Sequence, residues 1–282
     1  MGDGQVVSWV ERQILSETGS PRFIAAGIFR PHLPWYVPQK YFDMHPLDDI
    51  ELPPTIENDL DDVPALGAAS VLQSREWHDW IVPAQQWKAG VQGYLASISF
   101  ADVMVGRLID ALDRSGRADN TIIVLWGDHG FHLGEKERWR KMTLWEESTH
   151  VPLIIVAPGL TTPGSSTART VSLMDIYPTL VELAGLDRPV HVQGNSLLPL
   201  IEDPDAQWDE PALTTYPANS HALRSERFRY IRYADGSEEL YDHDADPNEW
   251  SNLADQKRYA AAKAELAEWL PKENAEPIGT SF

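Results

Sequence analysis

Helical periodicity is the clearest pattern in the hydrophobic and polar positions of this chain. The longest helix is predicted over residues 84–115, where apolar side chains share one face: Tyr94, Leu95, Ile98, Phe100, Ala101, Val105, Leu108, Ile109 and Leu112. Ser115-Gly116 supplies a suitable end for this helix. Shorter patterns of the same period predict helices over residues 5–17, 69–79, 175–184 and 259–270.

Continuous apolar runs rich in β-branched residues are typical of buried strands. Such runs predict strands over residues 121–127 and 151–156, and a shorter run predicts a strand over 22–29. The order of helix, turn and strand between residues 84 and 127 is half of a βαβ unit. We therefore expect an α/β fold with a mostly parallel central sheet flanked by helices.

The pattern changes after about residue 205. Apolar and polar residues alternate over residues 222–224, 228–233 and 239–241, with turn residues between them. This alternation predicts a small antiparallel sheet, which the last predicted helix follows. We therefore expect an α/β portion over residues 1–205 and a small C-terminal α+β subdomain over residues 206–282.

Composition excludes several classes of function. The net charge of −20, from 43 acidic and 23 basic residues, disfavours nucleic acids as partners of the general surface. The chain has no cysteine, which excludes disulfides and thiolate metal sites. No apolar run reaches the length of about 18 residues needed to span a membrane. The compartment stays open: a signal peptide upstream would indicate the periplasm or secretion, and otherwise the cytoplasm is expected.

One predicted strand is followed directly by two side chains that can bind a metal, in the run Thr121-Ile-Ile-Val-Leu-Trp-Gly-Asp-His-Gly130. It delivers Asp128 and His129 to the C-terminal tip of the strand, where open α/β sheets bind ligands. A carboxylate oxygen and a neutral imidazole nitrogen suit a divalent cation, and chemistry alone leaves Mg²⁺, Mn²⁺ and Zn²⁺ open. The alternative is that Asp128 caps the following turn and His129 packs beneath a loop.

Two further residues are candidates for anion chemistry. Lys141 follows Gly130 by eleven residues and would place an ammonium group near the cation. Its alternative is a solvated basic loop that balances nearby glutamates. His32 lies between Pro31 and Pro34, and an imidazole suits protonation of a leaving group near neutral pH. Its alternative is a loop histidine bonded to the backbone.

Several motifs occur together in an order that resembles one enzyme family. They are Gly27-Ile-Phe-Arg-Pro-His-Leu-Pro-Trp35, Trp126-Gly-Asp-His-Gly130, Leu133-Gly-Glu135, Lys141 and Thr149-His-Val-Pro-Leu153. In this order they resemble the sulfatases, most closely the iduronate-2-sulfatase-like branch. The resemblance implies an alkaline-phosphatase-like fold and hydrolysis of a sulfuric ester, with a sulfated carbohydrate as the substrate.

The resemblance also implies roles for individual residues. Asp128 and His129 would be ligands of a Ca²⁺ ion, and Lys141 would hold the sulfate oxygens. His32 would contact the sulfate ester and assist the leaving group. His221 and Arg224 precede the C-terminal meander, where the family places residues that face the substrate, although an ordinary surface role is equally compatible with their positions.

One family feature is absent from this chain. The nucleophile of sulfatases is a formylglycine made within a Cys-x-Pro-Ser-Arg or Ser-x-Pro-Ser-Arg motif, and neither form of the motif occurs here. The chain therefore resembles the C-terminal part of a sulfatase, with the missing N-terminal part as an expected partner. We expect the isolated chain to show no sulfatase activity.

Three alternatives remain open from the sequence. A phosphate or phosphonate ester hydrolase of the same superfamily would generally assemble two metals, whereas one Asp-His pair is evident here. A non-catalytic remnant would bind an anion or sugar without turnover. A chain that does not fold alone would aggregate through exposed strand edges.

Overall fold

The computed structural model describes residues 2–17, 19–72 and 75–276, with the side chain of residue 72 excepted. The helices are α1 (Gly2–Leu15), α2 (Gln39–Phe42), α3 (Ala65–Leu72), α4 (Arg75–Ile81), α5 (Trp87–Ser115), α6 (Glu146–Thr149), α7 (Ile176–Leu183), α8 (Leu198–Glu202) and α9 (Ala260–Ala267). The strands are β1 (Ile123–Trp126), β2 (His132–Leu133), β3 (Trp139–Arg140), β4 (Leu153–Val156), β5 (Ala212–Thr215), β6 (His221–Arg224), β7 (Phe228–Arg232) and β8 (Glu238–Asp242). None of the described helices has the length and apolar character needed to cross a membrane.

The chain divides into two compact units. The first unit comprises Met1–Pro53 and Asp79–Ile123, and the second comprises Pro54–His78 and Val124–Phe282. The strands β5 to β8 and the helix α9 all lie beyond residue 205. A separate C-terminal subdomain that begins at residue 206 stays a prediction.

The first unit is built on the packing of α1 against α5. The apolar stripe predicted for residues 84–115 forms α5, and its Ala96, Phe100 and Met104 pack with Val7 of α1. Gly116 ends α5 in the left-handed conformation with φ 68°, as the sequence predicted for this position. The helix face is therefore stabilised by burial of apolar side chains rather than by helix propensity alone.

The segment predicted as a strand over residues 22–29 does not form a strand. Residues 21–27 are exposed, and the Phe23 side chain is 82% exposed. Over residues 23–28 no backbone hydrogen bond is made within the described part of the chain. The prediction of a strand here was therefore wrong, because a strand forms only where a neighbouring strand pairs with it.

The second unit contains small sheets of two kinds. β1 pairs with β4, and both strands leave apolar side chains exposed, including Leu125, Trp126, Ile154 and Val156. β2 and β3 form an antiparallel ribbon. The described residues thus form a mixed α and β structure, in which the β2-β3 ribbon and the sheet of β5 to β8 are antiparallel. The predicted mostly parallel central sheet is not observed among them.

The predicted antiparallel meander forms near the C-terminus. It is a four-stranded sheet in the order β5-β6-β7-β8, with Leu223 opposite Tyr230 and Tyr230 opposite Leu240. These three residues form a core with Leu253, Ala254, Leu266 and Leu270, the last two from the C-terminal helical region. The alternate residues Ala222, Ile231 and Tyr241 pack on the other face, against a core that contains Leu144 and Trp145.

Candidate active site

A tight turn at the end of β1 carries Asp128 and His129. The Gly127 amide donates a hydrogen bond to the Pro152 carbonyl (3.1 Å), and the Gly130 amide donates to the Ser148 carbonyl (2.9 Å). These bonds hold the turn against the segment that leads into β4. A Cβ atom on Gly130 would lie 2.0 Å from the Glu147 carbonyl oxygen, so this close approach requires glycine.

The geometry of Asp128 and His129 fits a divalent cation. His129 Nδ1 lies 2.8 Å from the Gly130 carbonyl oxygen, which only accepts hydrogen bonds, so Nδ1 carries the proton and Nε2 has a lone pair. Nε2 lies 3.7 Å from Asp128 Oδ2. This separation is too long for a hydrogen bond, and it suits two ligands of one ion at about 2.0–2.5 Å each. The Asp128 side chain is 85% exposed and thus accessible to an ion.

A second group of ligand-type atoms has a different role. Within the described residues, potential ligand atoms of Glu146, His243 and Glu249 lie within 4.8 Å of one another. Arg229 already donates to both glutamates, and His243 Nε2 lies 2.8 Å from Glu249 Oε1. Since a buried guanidinium supplies the positive charge that a metal would supply, this group is a structural ion-pair network.

Burial and charge determine the ionisation of that network. Burial alone would raise the pKa of Glu249, but the Arg229 charge and the His243 hydrogen bond lower it to about 2. Burial likewise opposes ionisation of Glu146, whose pKa is lowered from its usual value by Arg229 and Arg224. Both carboxylates are therefore ionised at neutral pH and hold α6 to the C-terminal sheet.

Lys141 lies in a loop with unusual backbone conformations. Lys136, Glu137, Arg140 and Met142 all have positive φ, with values of 77° and 79° for the two neighbours of Lys141. For residues other than glycine, such conformations cost on the order of 1–2 kcal/mol each and persist where surrounding contacts hold them. A strained loop of this kind is a feature of functional sites.

Buried side chains hold this loop in place. The Arg138 guanidinium donates to the Ser70 carbonyl (2.6 Å) in α3 and to the Lys141 carbonyl (2.7 Å). Lys136 is also buried, and its Nζ donates to Asp59 Oδ1 (2.9 Å) and to the Glu249 carbonyl. The backbone of Lys141 is therefore fixed from within the second unit.

The Lys141 side chain shares a cleft of about 1120 Å³ with Asp128 and His129. Burial lowers the pKa of Lys141 from its usual value, the Arg140 charge lowers it further, and Asp128 opposes the change. An anion bound beside the ammonium would favour its charged form. The structure thus brings together, in one cleft, three of the four residues predicted for catalysis and metal binding.

His32 belongs to the first unit and is held by its own loop. Its amide donates to the Phe29 carbonyl (3.0 Å), and its Nδ1 lies 2.6 Å from the Leu33 carbonyl oxygen. The buried Asp3 carboxylate accepts hydrogen bonds from the Phe29 and Arg30 amides (3.1 and 3.3 Å) and so fixes the start of this loop. The catalytic role of His32 stays a prediction.

His221 and Arg224 have protein groups as partners. His221 is buried between Thr215 Oγ1 (2.9 Å from Nδ1) and Asn274 Oδ1 (2.8 Å from Nε2). Arg224 binds Glu146 Oε2 (3.1 Å) and His243 Nδ1 (3.0 Å) as well as two backbone carbonyls. These contacts support the C-terminal sheet, and the predicted contacts with substrate stay predictions.

Gly130 offers a direct test of the turn geometry. Gly130→Ala is expected to displace the Asp128-His129 turn, because its Cβ would overlap the Glu147 backbone. We expect loss of cation binding and a fall of about 2 kcal/mol or more in the free energy of unfolding. Gly106→Ala is the matched control, since its Cβ meets nothing within 4 Å in α5 and helix propensity favours alanine there. Equal cation affinity in the two variants would contradict the described packing of the turn.

Comparison with known proteins identifies the family. The family model described as Sulfatase matches residues 3–186, which is more than half of the chain. The chain belongs to the sulfatase family. A second model, N-sulphoglucosamine sulphohydrolase, C-terminal, matches residues 134–276. The resemblance inferred from the motifs is thereby confirmed.

Individual relatives show how much of a sulfatase the chain represents. A sulfatase of Formosa agariphila is 42% identical over 276 residues, which cover 98% of this chain and 54% of that protein. Human iduronate 2-sulfatase is 31% identical over 219 residues, covering 66% of this chain and 39% of that protein. The solved phosphonate monoester hydrolase of Agrobacterium radiobacter superposes with a TM-score of 0.77 at 27% identity, covering 94% of this chain and 58% of that chain. The chain thus spans about half the length of the relatives it matches.

Proposed function

We propose that this sulfatase chain supplies the cation-binding and sulfate-binding groups of an enzyme that hydrolyses a sulfuric ester of a carbohydrate. The observation that carries the proposal is the pair of His129 Nε2 and Asp128 Oδ2, 3.7 Å apart, in the cleft that Lys141 also lines. The name of the iduronate 2-sulfatase relative supports a sulfated carbohydrate as the substrate class.

The proposed chemistry follows from the charge of the substrate. A sulfate monoester carries one negative charge over three oxygens, and Asp128 and His129 would hold a Ca²⁺ ion that neutralises this charge when bound. Lys141 would donate a hydrogen bond to a sulfate oxygen from a loop that Arg138 fixes. Because the backbone that carries Lys141 is held before the substrate arrives, little reorganisation of the loop is needed during the reaction.

The reaction also needs a group that protonates the leaving group and a nucleophile. Leaving-group protonation is assigned to His32, whose Nδ1 bond to a carbonyl fixes the orientation of the ring. The chain has no cysteine and no nucleophile motif, so we assign the nucleophile to residues outside these 282. The isolated chain is accordingly expected to turn over no sulfate ester, even with calcium.

Two exposed apolar strands in the second unit support the proposal that the remaining part of a sulfatase packs on them. β1 and β4 leave Leu125, Trp126, Ile154 and Val156 exposed, although apolar strands of this kind are normally covered on both faces. We propose that they belong to a mostly parallel central sheet that is completed by the remaining part of a sulfatase. The length of the relatives, about twice the matched segment, supports this proposal.

A second candidate function is hydrolysis of a phosphonate monoester. The similarity to the Agrobacterium radiobacter phosphonate monoester hydrolase favours it. The two functions differ in the preferred substrate of the complete enzyme. Faster hydrolysis of an aryl phosphonate monoester than of an aryl sulfate would support the second candidate.

Terbium luminescence tests the cation site of the 282-residue chain. Trp126 precedes Asp128 by two residues, so energy transfer from its indole should sensitise a Tb³⁺ ion bound by Asp128 and His129. We expect emission that calcium displaces and that Asp128→Asn and His129→Ala abolish. Asp255→Asn is the control, because Asp255 is exposed and lies in the C-terminal region. Unchanged calcium-displaceable emission in Asp128→Asn would rule out the assigned site.

A further inference from the structure

A line of polar side chains, buried at His132, Thr143 and Ser148 and half-buried at Glu147, runs beside the Asp128-His129 turn. His132 is fully buried, and its Nε2 lies 2.8 Å from Thr143 Oγ1, which lies 2.8 Å from Ser148 Oγ. At the other end, Glu147 Oε2 lies 3.9 Å from His132 Nδ1. Neither of these two atoms has a hydrogen-bond partner in the part of the chain that is described. Buried polar atoms without partners are costly, so this gap requires an explanation.

Protonation of Glu147 explains why the buried atoms Glu147 Oε2 and His132 Nδ1 lie close together without a hydrogen bond. Burial, with the Glu249 and Glu135 carboxylates nearby, raises the pKa of Glu147 to about 8 against the opposing charge of Lys136. Burial, with the Arg138 and Lys136 charges, lowers the pKa of His132 to about 3, against the opposing Glu249 charge and the Glu135 backbone carbonyl. At neutral pH both groups are therefore uncharged, with Glu147 as a carboxylic acid that can donate. A carboxyl movement of about 1 Å brings its O–H within hydrogen-bond distance of His132 Nδ1.

The position of the Glu147 proton then determines the position of every other proton along the line. Glu147 donates to His132 Nδ1, so the single ring proton lies on Nε2 and is donated to Thr143 Oγ1. The Thr143 hydroxyl therefore donates its own hydrogen bond to Ser148 Oγ. Among the described residues, Thr143 is the one hydrogen-bond partner of the Ser148 hydroxyl. The Ser148 proton is therefore left to point away from the line.

Ser148 and Thr143 line the same cleft as Asp128 and Lys141. We propose that the Ser148 hydroxyl donates a hydrogen bond to a sulfate oxygen, and that the line Glu147–His132–Thr143 fixes Ser148 as a donor. This inference rests on the proposed function of the cleft. It assigns an anion-binding role to Ser148 and positioning roles to the other three residues.

Loss of the Glu147 proton reverses the direction in which each hydrogen bond along the line is donated. When hydroxide removes that proton, the His132 ring proton moves to Nδ1, where it is donated to the Glu147 carboxylate. Thr143 then donates to Nε2, and Ser148 donates to Thr143. Ser148 now presents lone pairs to the cleft, where they repel sulfate oxygens. Sulfate affinity is therefore expected to fall as the pH rises through about 8, the value at which Glu147 ionises.

Calorimetric titration of inorganic sulfate into the full chain tests the inference, with calcium present and ionic strength held constant between pH 6.5 and 9.5. Ser148→Ala is expected to weaken sulfate binding about tenfold at pH 7, the effect of one hydrogen bond to a charged group. The unmodified chain is expected to lose about the same factor between pH 7 and 9.5. Glu147→Gln should remove this loss, because its amide donates to His132 at every pH.

Matched variants distinguish the inference from the function on which it rests. Lys141 also titrates at high pH, but its deprotonation weakens binding equally in the unmodified chain and in Glu147→Gln. Ser251→Ala and Glu265→Gln, both at exposed positions, control for the substitutions themselves. Unchanged binding in Ser148→Ala, or equal pH profiles with and without Glu147→Gln, would overturn the inference alone. No sulfate binding by the unmodified chain would overturn the proposed function, and the inference with it.

The tautomer of His132 gives a second measurement that needs no ligand. Nitrogen NMR of the imidazole rings reports which ring nitrogen carries the proton. The inference predicts the Nε2–H tautomer at pH 7 in the unmodified chain and in Glu147→Gln. The Nδ1–H tautomer at pH 7 in either protein would overturn it.

Discussion

Replacing Lys141 by methionine is expected to lower the turnover of a sulfate ester about a thousandfold or more in the full-length enzyme that we propose. The substitution keeps much of the side-chain volume and removes the ammonium group that faces the anion. The loss is expected in kcat/KM, because the ammonium contact with the sulfate oxygens stabilises the transition state relative to the free enzyme and substrate.

The control for this prediction is a lysine outside the cleft. Lys263→Met removes an ion pair with Glu238 (2.7 Å) in the C-terminal region and should leave kcat within a factor of two or so. Steady-state kinetics on an aryl sulfate measure both variants. Turnover by Lys141→Met at the rate of Lys263→Met would show that Lys141 does not hold the sulfate.

Replacing Glu249 by alanine is expected to destabilise the second unit strongly. The side chain is fully buried and bonds Arg229, His243 and the Glu146 amide (3.0 Å), so its removal leaves a buried guanidinium without one of its partners. We expect a loss of about 3–5 kcal/mol in the free energy of unfolding. Urea unfolding at pH 7 measures this loss, with Asp244→Asn as a control, because Asp244 makes an exposed ion pair (3.4 Å) with Arg227.

The same residue predicts how stability depends on pH. The pKa of Glu249 is lowered from its ordinary value of 4.5 to about 2 in the folded chain. A lowered pKa contributes stability that is present above the unfolded value and is lost as the pH falls toward the folded value. Stability should therefore fall between about pH 4.5 and 2 in the unmodified chain, and this part of the slope should be absent in Glu249→Ala. An identical slope in both proteins would contradict the assignment.

Local patterns predicted the parts of the fold that depend on local burial. The long helix α5 was found because a stripe of apolar residues at a spacing of three and four requires one buried face. The segment at residues 22–29 has an equally clear β pattern, yet it forms no strand, since pairing depends on a neighbour that its own sequence does not specify. β5 was missed because Ala212–Thr215 is short and weakly patterned.

The candidate site likewise contains residues that local motifs predicted and residues that depend on contacts between distant parts of the chain. Asp128 and His129 were predicted because they follow a predicted strand in a recognisable motif, and Lys141 because it lies in a similar motif; the roles of all three stay predictions. The line from Glu147 to Ser148 was not found, because it depends on burial and on contacts between residues that no motif links. Arg229 did carry a signal: a charged residue between Phe228 and Tyr230 in an apolar strand indicates a buried partner, although the sequence does not identify Glu249 as that partner.

The most direct test of the central claim is the coupling of calcium and sulfate binding in the 282-residue chain. Calorimetric titration of sulfate is performed with and without calcium, on the unmodified chain and on Asp128→Asn. The account predicts that calcium strengthens sulfate binding at least about tenfold in the unmodified chain and has no such effect in Asp128→Asn, a coupling of about 1.4 kcal/mol or more. Sulfate affinity that is the same with and without calcium in the unmodified chain would contradict a shared cation and sulfate site.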